Sequence, residues 1–461
     1  MEKAIVDAVA TAEKSVVAIA RVRKERPGEM LNIEFRPDPF GSRRLVPLMP
    51  LNPTDPEFVP TDYASGVVVD RRGLVLTVYH ALGDDCDYFV STTSRKVFRA
   101  RVVGADPRSD LAVLAPDEAA LPRGASLDLP PIALGDSDAL RKGQIVVALG
   151  NPFAVGRDGQ ASASWGIVAN LGRKLPTSVD DAGVPDKSTI HHFGTLIQTD
   201  AKLNLGTSGG PLLNLRGQMI GMVTAIAATP GFETPAGYAI PVDRTFCRAL
   251  ELLKSGREVE YGFLGIQLHN LSMDEVLRDR QGARVERVIA GLPAAQRGIK
   301  NGDLVTKVNG VSILDADRFV VEVGKLPIDA TVHLDVVRGE RRFGVDVELA
   351  KYHVRGKKIV TSPSDAWRGI RVDHVTGLLD SSALASSVGG AVSMDGVGIA
   401  EVSKDSVGWS SGLRVGMRIT HVDGVAVHSP KEFWSAVAKR PGEVGIRMVG
   451  RSGENTVVSV P

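Results

Sequence analysis

A pattern near the C-terminal end recurs at one fixed offset. Gly298, Gly302, Val308, Gly310, Val311, Phe319, Val323, Pro327, Gly339 and Glu340 reappear 114 positions later as Gly412, Gly416, Val422, Gly424, Val425, Phe433, Val437, Pro441, Gly453 and Glu454, with Asn309 matched by Asp423. So many matches without a gap mark two homologous modules of about 90 residues, each burying its own core. A polar stretch, Gly356 to Asp365, joins them. At roughly 150 residues per domain, a chain of 461 residues leaves room for one larger domain ahead of the pair. The division expected is residues 1–256, then 257–353, then 354–461 as linker and second module.

The first 256 residues read as mainly β. Ala4 to Ala12 has helical spacing, and Ser15 to Val22 is a β-branched run. Arg23 to Asp62 carries eight prolines, from Pro27 to Pro60, and breaks every period, which predicts a long loop. From Ser65 to about Ile240, short apolar runs alternate with turns, as in the hairpin Gly66–Val69, Asp70–Gly73, Leu74–Thr77. No strand–helix–strand alternation appears, which favours antiparallel barrels or sandwiches. Asp243 to Ser255 reads as a closing helix capped by Asp243.

Composition removes several function classes. Lys and Arg total 55 against 54 Asp and Glu, a net charge of +1 that offers no electrostatic reason to bind nucleic acid or an anionic membrane. No apolar run reaches the ~18 residues of a membrane span. Two cysteines, Cys86 and Cys247, are too few for a disulfide framework or a four-thiolate metal site; they read as two unrelated buried thiols, with a single bridge between them as the alternative. No GxxxxGK[ST] loop is present, so the chain carries no P-loop ATPase of its own. Met1 to Arg21 interrupts its apolar residues with Glu2, Asp7, Glu13 and Lys14, unlike the core of a secretory signal. The protein is then either intracellular or a mature form.

Three separated segments fit one chemistry. Gly206-Thr207-Ser208-Gly209-Gly210-Pro211 places a serine between glycines, where backbone N–H groups of Gly206 and Ser208 can turn toward one oxygen. A serine hydroxyl needs a base, and His80, at the end of the second hairpin strand, is the best placed of nine histidines. The base needs an orienting carboxylate; Asp110 stands directly before the apolar run Leu111-Ala112-Val113-Leu114. Asp106, ahead of Pro107, reads as a turn residue, and His191-His192 as a solvated pair rather than metal ligands. Each segment alone also has an ordinary structural use: a glycine-rich turn, a satisfied histidine, a strand cap.

Taken together, Thr77…His80, Asp110 to Leu114 and Gly206 to Pro211, with Gly150-Asn151-Pro152, Ile197 to Ala201, Gly237 to Asp243 and the tandem modules, resemble the HtrA/DegP family. The resemblance implies a chymotrypsin-like double β-barrel followed by two PDZ (α+β) domains. It also implies an ATP-independent serine endopeptidase acting on unfolded or misfolded protein, with no cofactor and no metal. His80, Asp110 and Ser208 are then catalytic, with Gly206 and Ser208 forming the oxyanion hole. Thr207 and Val78 stand where the family usually has asparagine. A neutral Thr207 cannot make the ion pair by which trypsin-type zymogens are activated.

The same resemblance implies that the first PDZ module binds C-terminal peptides through Leu264-Gly265-Ile266, a Φ-Gly-Φ loop. The second has Arg368-Gly369-Ile370, which leaves a packing role equally open. It further implies a homotrimer or higher multiple, a periplasmic or other extracytoplasmic location near but not across a membrane, and switch loops at Gly172 to Phe193 and Ala228 to Pro235. The rival reading is a non-catalytic peptide-binding chaperone or scaffold, which has no use for all three polar side chains. At the floor of the primary pocket trypsins carry an acid, and here the position holds Lys202. Leu203, Leu205 and Ile226 can line a small apolar pocket or pack a core. Mapping cleavage sites in an unfolded protein should show Val, Ala or similar residues before the cut; mainly Lys or Arg there would refute the pocket.

Overall fold

The computed structural model describes residues 1–24, 35–37, 43–45, 62–120, 129–151, 159–174, 188–227, 236–378, 395–438, 440–450 and 454–461. They fall into two compact units: Met1–Glu258 with Lys357–Thr361, and Val259–Gly356 with Ser362–Pro461. Most of the proline-rich loop lies outside the described residues, apart from a hairpin of Phe35–Pro37 with Arg43–Leu45. Much of both expected switch loops, 175–187 and 228–235, also lies outside them.

Six antiparallel strands close the first barrel: Val16–Arg23, Asp62–Val68, Val75–Val78, Cys86–Thr92, Val97–Asp106 and Leu111–Pro116. Pairing of the last two completes the ring. Val17, Ile19, Val68, Val75, Val90, Phe98 and Leu114 point inward and fill it. Leu111–Pro116 is buried along its whole length, because the helix Arg244–Lys254 packs on the same pair of strands from outside. That helix begins where expected: Asp243 accepts a hydrogen bond from Phe246 N at 2.8 Å. Its buried residues Phe246, Ala249, Leu250 and Leu253 recur at helical spacing.

A second closed barrel follows, in the order Ser162–Arg173, Leu196–Thr199, Ala236–Pro241, Met219–Ala227, Pro211–Leu213, Ile145–Gly150. Val146, Val168, Ile197, Leu212, Val223 and Ala239 form its core. The chain is therefore mainly β, as its turn-rich pattern predicts, with the double barrel that the family resemblance implies.

The two C-terminal modules share one topology. Ile266–Asn270, Ala283–Val288, Leu304–Val308, Thr331–Arg338 and Arg341–Glu348 run side by side in that order, with the helix Ala316–Gly324. Ile370–His374, Val397–Val402, Arg418–Val422, Val444–Val449 and Asn455–Val460 repeat it, with Pro430–Val437. The repeated Val308/Val422, Phe319/Phe433 and Val323/Val437 sit in the two cores. Asn309 and Asp423 take positive φ of 48° and 46°, each followed by a glycine at 80°. Two successive left-handed residues make the tight hairpin turn that Asn-Gly and Asp-Gly favour. Between the modules Lys351, 2 % exposed, is held by Glu260 at 3.0 Å and Asp373 at 2.8 Å.

The polar stretch between the modules is more than a linker. Ile359–Val360 pairs antiparallel with Ala105 and Gly104 of the first barrel. Thr361 Oγ1 donates to Val103 O at 2.6 Å, and Tyr79 Oη donates to Lys357 O at 3.1 Å. Gly104 and Ala105 are paired on their other side with Val113 and Ala112, so this segment covers an edge that would otherwise be open. Two β-branched residues suit that place. Hydrogen-exchange mass spectrometry should find the amides of 357–361 protected, and glycine at both Ile359 and Val360 should abolish that protection. Rapid exchange in the unaltered chain would contradict the pairing.

Candidate active site

Strand register delivers the first two groups to each other. Val75–Val78 pairs with Leu111–Leu114 so that Val78 lies opposite Leu111, which sets the next residues of the hairpin beside Asp110. His80 follows in the one-turn helix Tyr79–Ala81. Tyr79 N donates to Asp110 O at 2.9 Å and His80 N to Asp110 Oδ1 at 3.0 Å. His80 Nδ1 lies 2.8 Å from Asp110 Oδ2 and 3.0 Å from Oδ1. A carboxylate only accepts, so in the neutral ring the proton sits on Nδ1 and Nε2 is left as an acceptor. Arg21 supports the far side of the turn, donating to Leu82 O at 3.0 Å and Ala81 O at 3.3 Å.

Asp110 has a φ of 55°, a left-handed geometry that aspartate tolerates better than most residues. The turn before it is closed by Asp106, whose Oδ2 accepts from Ser109 N at 2.9 Å and Ser109 Oγ at 2.6 Å. Asp106 is thus the turn residue expected. Thr224, from the second barrel, donates its hydroxyl to Asp110 Oδ2 at 2.8 Å. Its carbonyl accepts from Ser208 Oγ at 3.2 Å. His80, Asp110 and Ser208 are brought together around Thr224, a residue the sequence reading did not single out. No hydrogen bond joins Ser208 to His80 among the described residues.

The turn carrying Ser208 depends on glycine at several points. Gly206 has a φ of 95°, and a Cβ there would stand 2.5 Å from Tyr63 Cδ2 and 2.7 Å from Asn151 O. A Cβ on Gly209 would be 2.1 Å from Ser65 O. Thr207 N and Oγ1 both donate to Asn204 O, at 3.1 and 2.7 Å. Gly210 N donates to Thr207 O and Gly209 N to Val223 O. Within Gly206–Gly210 the N–H groups of Gly206 and Ser208 alone donate to no group among the described residues.

Two readings of single residues need correction. His191 is not solvated: it is 3 % exposed, with Nδ1 2.7 Å from Thr195 Oγ1 and Nε2 2.9 Å from Ser109 O. A carbonyl cannot donate, so Nε2 carries the proton and the Thr195 hydroxyl donates to Nδ1. Leu203 and Leu205 are not assembled into a pocket wall. Leu203 belongs to the core of the second barrel, and Leu205 is 70 % exposed. The side chain of Ile226 lies outside the described residues. Lys202 is exposed, and no cluster of metal-ligating residues occurs among the described residues.

In the first C-terminal module Leu264 is buried in the core, Gly265 has a φ of 79°, and Ile266 opens the edge strand. The carbonyls of Leu264 and Gly265 accept from Ala294 N and Ile289 N. The second module keeps that carbonyl pattern, with Gly408 N and Ser403 N as donors to Arg368 and Gly369. There, however, Ile370 N donates to Trp367 O at 2.9 Å. Trp367 takes the buried place, edge-on to Phe433 at 5.7 Å. Arg368 lies over the Trp367 ring and donates to the carbonyls of Val460 and Gly442.

Comparison with known proteins identifies the domain types. Residues 64–222 match the trypsin-like peptidase domain, and residues 262–349 the PDZ domain. A probable periplasmic serine endoprotease of DegP-like type from Ectopseudomonas mendocina (strain ymp) is 30% identical over 97% of this chain and 88% of its own length. The chain belongs to the HtrA/DegP family of serine endoproteases. A second relative with the same description, from Pseudomonas putida (strain W619), is 29% identical over 99% of this chain and 93% of its own. Among solved structures, the HtrA-type protease AlgW with a decapeptide superimposes with a TM-score of 0.53 at 25% identity, covering 75% of this chain and 98% of that one.

With His80 as the general base, its protonation would set an acid limit on activity. Burial disfavours its charge, but the hydrogen bond and negative charge of Asp110 outweigh that and raise its pKa above the ordinary 6.5. Burial pushes the Asp110 carboxyl up, whereas bonds from His80 and Thr224 hold it below 3.8. The stability that the raised pKa of His80 contributes is therefore fully present below pH 6.5 and disappears as pH rises through that raised pKa. Asp110's contribution is present above 3.8 and disappears as pH falls through its lowered pKa. Activity that used His80 as its base would run the other way, since only the neutral ring can accept a proton. kcat/KM plotted against pH should reach half its plateau above pH 6.5; a half-point below 6 would contradict the pairing.

Proposed function

We propose that His80, Asp110 and Ser208 form the catalytic triad of an ATP-independent endopeptidase for unfolded or misfolded proteins. The observation that carries the reading is Thr224, which holds Asp110 through its hydroxyl and Ser208 through its carbonyl. For attack, the Ser208 hydroxyl leaves Thr224 O for His80 Nε2, which takes its proton as Oγ bonds to the substrate carbonyl carbon. The oxyanion that forms is met by the unoccupied N–H groups of Gly206 and Ser208. Imidazolium is stabilised by Asp110 and returns the proton to the leaving amine. Water then repeats the sequence on the acyl-enzyme.

Residues 1–256 are the protease domain in this reading, 257–353 the first PDZ domain, and 354–461 the linker and second PDZ domain. Leu264, Gly265 and Ile266 receive the carboxylate of a C-terminal peptide, beside the edge strand Ile266–Asn270. The second PDZ domain packs rather than binds, because its corresponding N–H is used by Trp367 and its arginine by strand-end carbonyls. The relatives, described as periplasmic endoproteases, support a periplasmic location, and the family resemblance supports a homotrimer or higher multiple. Lys202, exposed at the position where trypsins carry an acid, argues against basic residues before the cut.

Ser208→Ala should lower kcat by about 10⁴-fold or more and abolish covalent labelling by a fluorophosphonate. Cleavage at the unaltered rate would assign the nucleophile to another residue. Absence of labelling in the unaltered, folded chain would favour the non-catalytic binder.

A further inference from the structure

Ser65 stands on the first barrel, in the strand Asp62–Val68, yet most of its bonds go to the second. Its residue exposure is 0 %. The hydroxyl donates to Gly206 O at 2.7 Å and accepts from Asn151 N at 2.8 Å. Its backbone N–H donates to Ser208 O at 2.8 Å. Its own carbonyl accepts from Thr77 Oγ1 at 2.8 Å, three residues before His80. One residue thus grips both sides of the nucleophile turn and is itself held from the histidine strand.

The bonds divide the turn peptide by peptide. The peptide between 206 and 207 is held at its oxygen by Ser65 Oγ and at its nitrogen by Asn204 O. The next is held at its oxygen by Gly210 N, which leaves the Ser208 N–H pointing away from that bond. The third is held by Ser65 N and by Val223 O. Gly206 has no side chain to restrain it, and its φ of 95° is open to it only as glycine. The Ser65 hydroxyl is therefore the side-chain anchor on the Gly206 carbonyl, and Tyr63, two residues earlier, puts its ring against the same glycine.

We propose that Ser65 is a positioning residue for the oxyanion hole. Its hydroxyl fixes the Gly206 carbonyl so that the Gly206 and Ser208 N–H groups stay directed at the developing oxyanion. This rests on the reading of those two groups given above. Without the hydroxyl, Gly206 O loses the bond from Ser65, and the turn can rotate at the glycine to find other partners. Binding of the ground state depends little on this geometry; stabilisation of the tetrahedral intermediate depends on it directly.

The test uses the full chain with Ser65→Ala and Ser65→Cys, the thiol being a weak donor of similar shape. Val90→Ala, in the first-barrel core, serves as a comparator for lost stability, and Ser208→Ala as a control for the parent reading. For the Ser65 and Val90 variants, kcat and KM are measured on a peptide substrate per fluorophosphonate-titrated site, along with Tm and the affinity of a peptide aldehyde; cleavage by Ser208→Ala is measured per mole of protein. Ser65→Ala should lower kcat about 10- to 100-fold with KM changed less than about twofold. Aldehyde affinity should fall in parallel, and Ser65→Cys should be intermediate. Unaltered kcat per site in Ser65→Ala, or the same kcat loss in Val90→Ala at equal Tm, would reduce Ser65 to a core hydroxyl. If Ser65→Ala does not fold, unaltered kcat and aldehyde affinity in Ser65→Cys overturn the proposal. Cleavage by Ser208→Ala would instead sink the parent reading.

Discussion

A carboxylate taken almost wholly out of water must have its oxygens occupied, and Asp110 is the clearest case in this chain. It is 4 % exposed and carries its charge because His80 N, His80 Nδ1 and the Thr224 hydroxyl all donate to it. An isolated buried carboxylate would take up a proton instead. Meeting that requirement draws the His80 turn to one side of the anion and a strand of the second barrel to the other. Thr224 then has its carbonyl free for Ser208, so the demand of one buried charge organises groups from both barrels.

A similar economy of contacts holds the surrounding backbone. His191 donates to Ser109 O, immediately before Asp110, while Ile190 N donates to Arg108 O. Burial lowers the pKa of His191 below 6.5, so near neutral pH it acts as an uncharged clamp. On the other flank Tyr79, next to His80, is tied to the segment 357–361. That segment is continuous in sequence with both PDZ modules and paired with the strand that leads to Asp110. Both residues of the His–Asp pair therefore sit in backbone held from outside the barrel ring.

Much of this was legible because it depends on local pattern. The Asn309-Gly310 and Asp423-Gly424 turns, the Asp243 cap and the apolar run after Asp110 each follow from what neighbouring residues permit. The glycines at 206 and 209 announce a turn that tolerates no Cβ. Ser65, Thr224 and Arg21 carried no such mark, since serine, threonine and arginine are common on strands and their partners are far away in sequence. His191 looked solvated for the same reason: its two partners, Thr195 and Ser109, make it a buried residue only once the chain has folded. Leu203 and Leu205 show the limit for pockets, because adjacent apolar positions diverged into core and surface.

The two PDZ modules show where sequence likeness ends. Their matched glycines and core residues produce the same five-strand order, yet Trp367 and Arg368 turn the second loop inward upon its own module. The amino-acid order alone determined the family, the module count, the strand-rich character and the three residue types of the site, because spacing and turn chemistry act over a few residues. Only the tertiary structure decided which hydroxyls, carbonyls and N–H groups face one another across two barrels. Those pairings span more than 140 residues, as between Ser65 and Gly206, 141 apart, and hydrogen bonds act over about 3 Å, a distance that only packing sets.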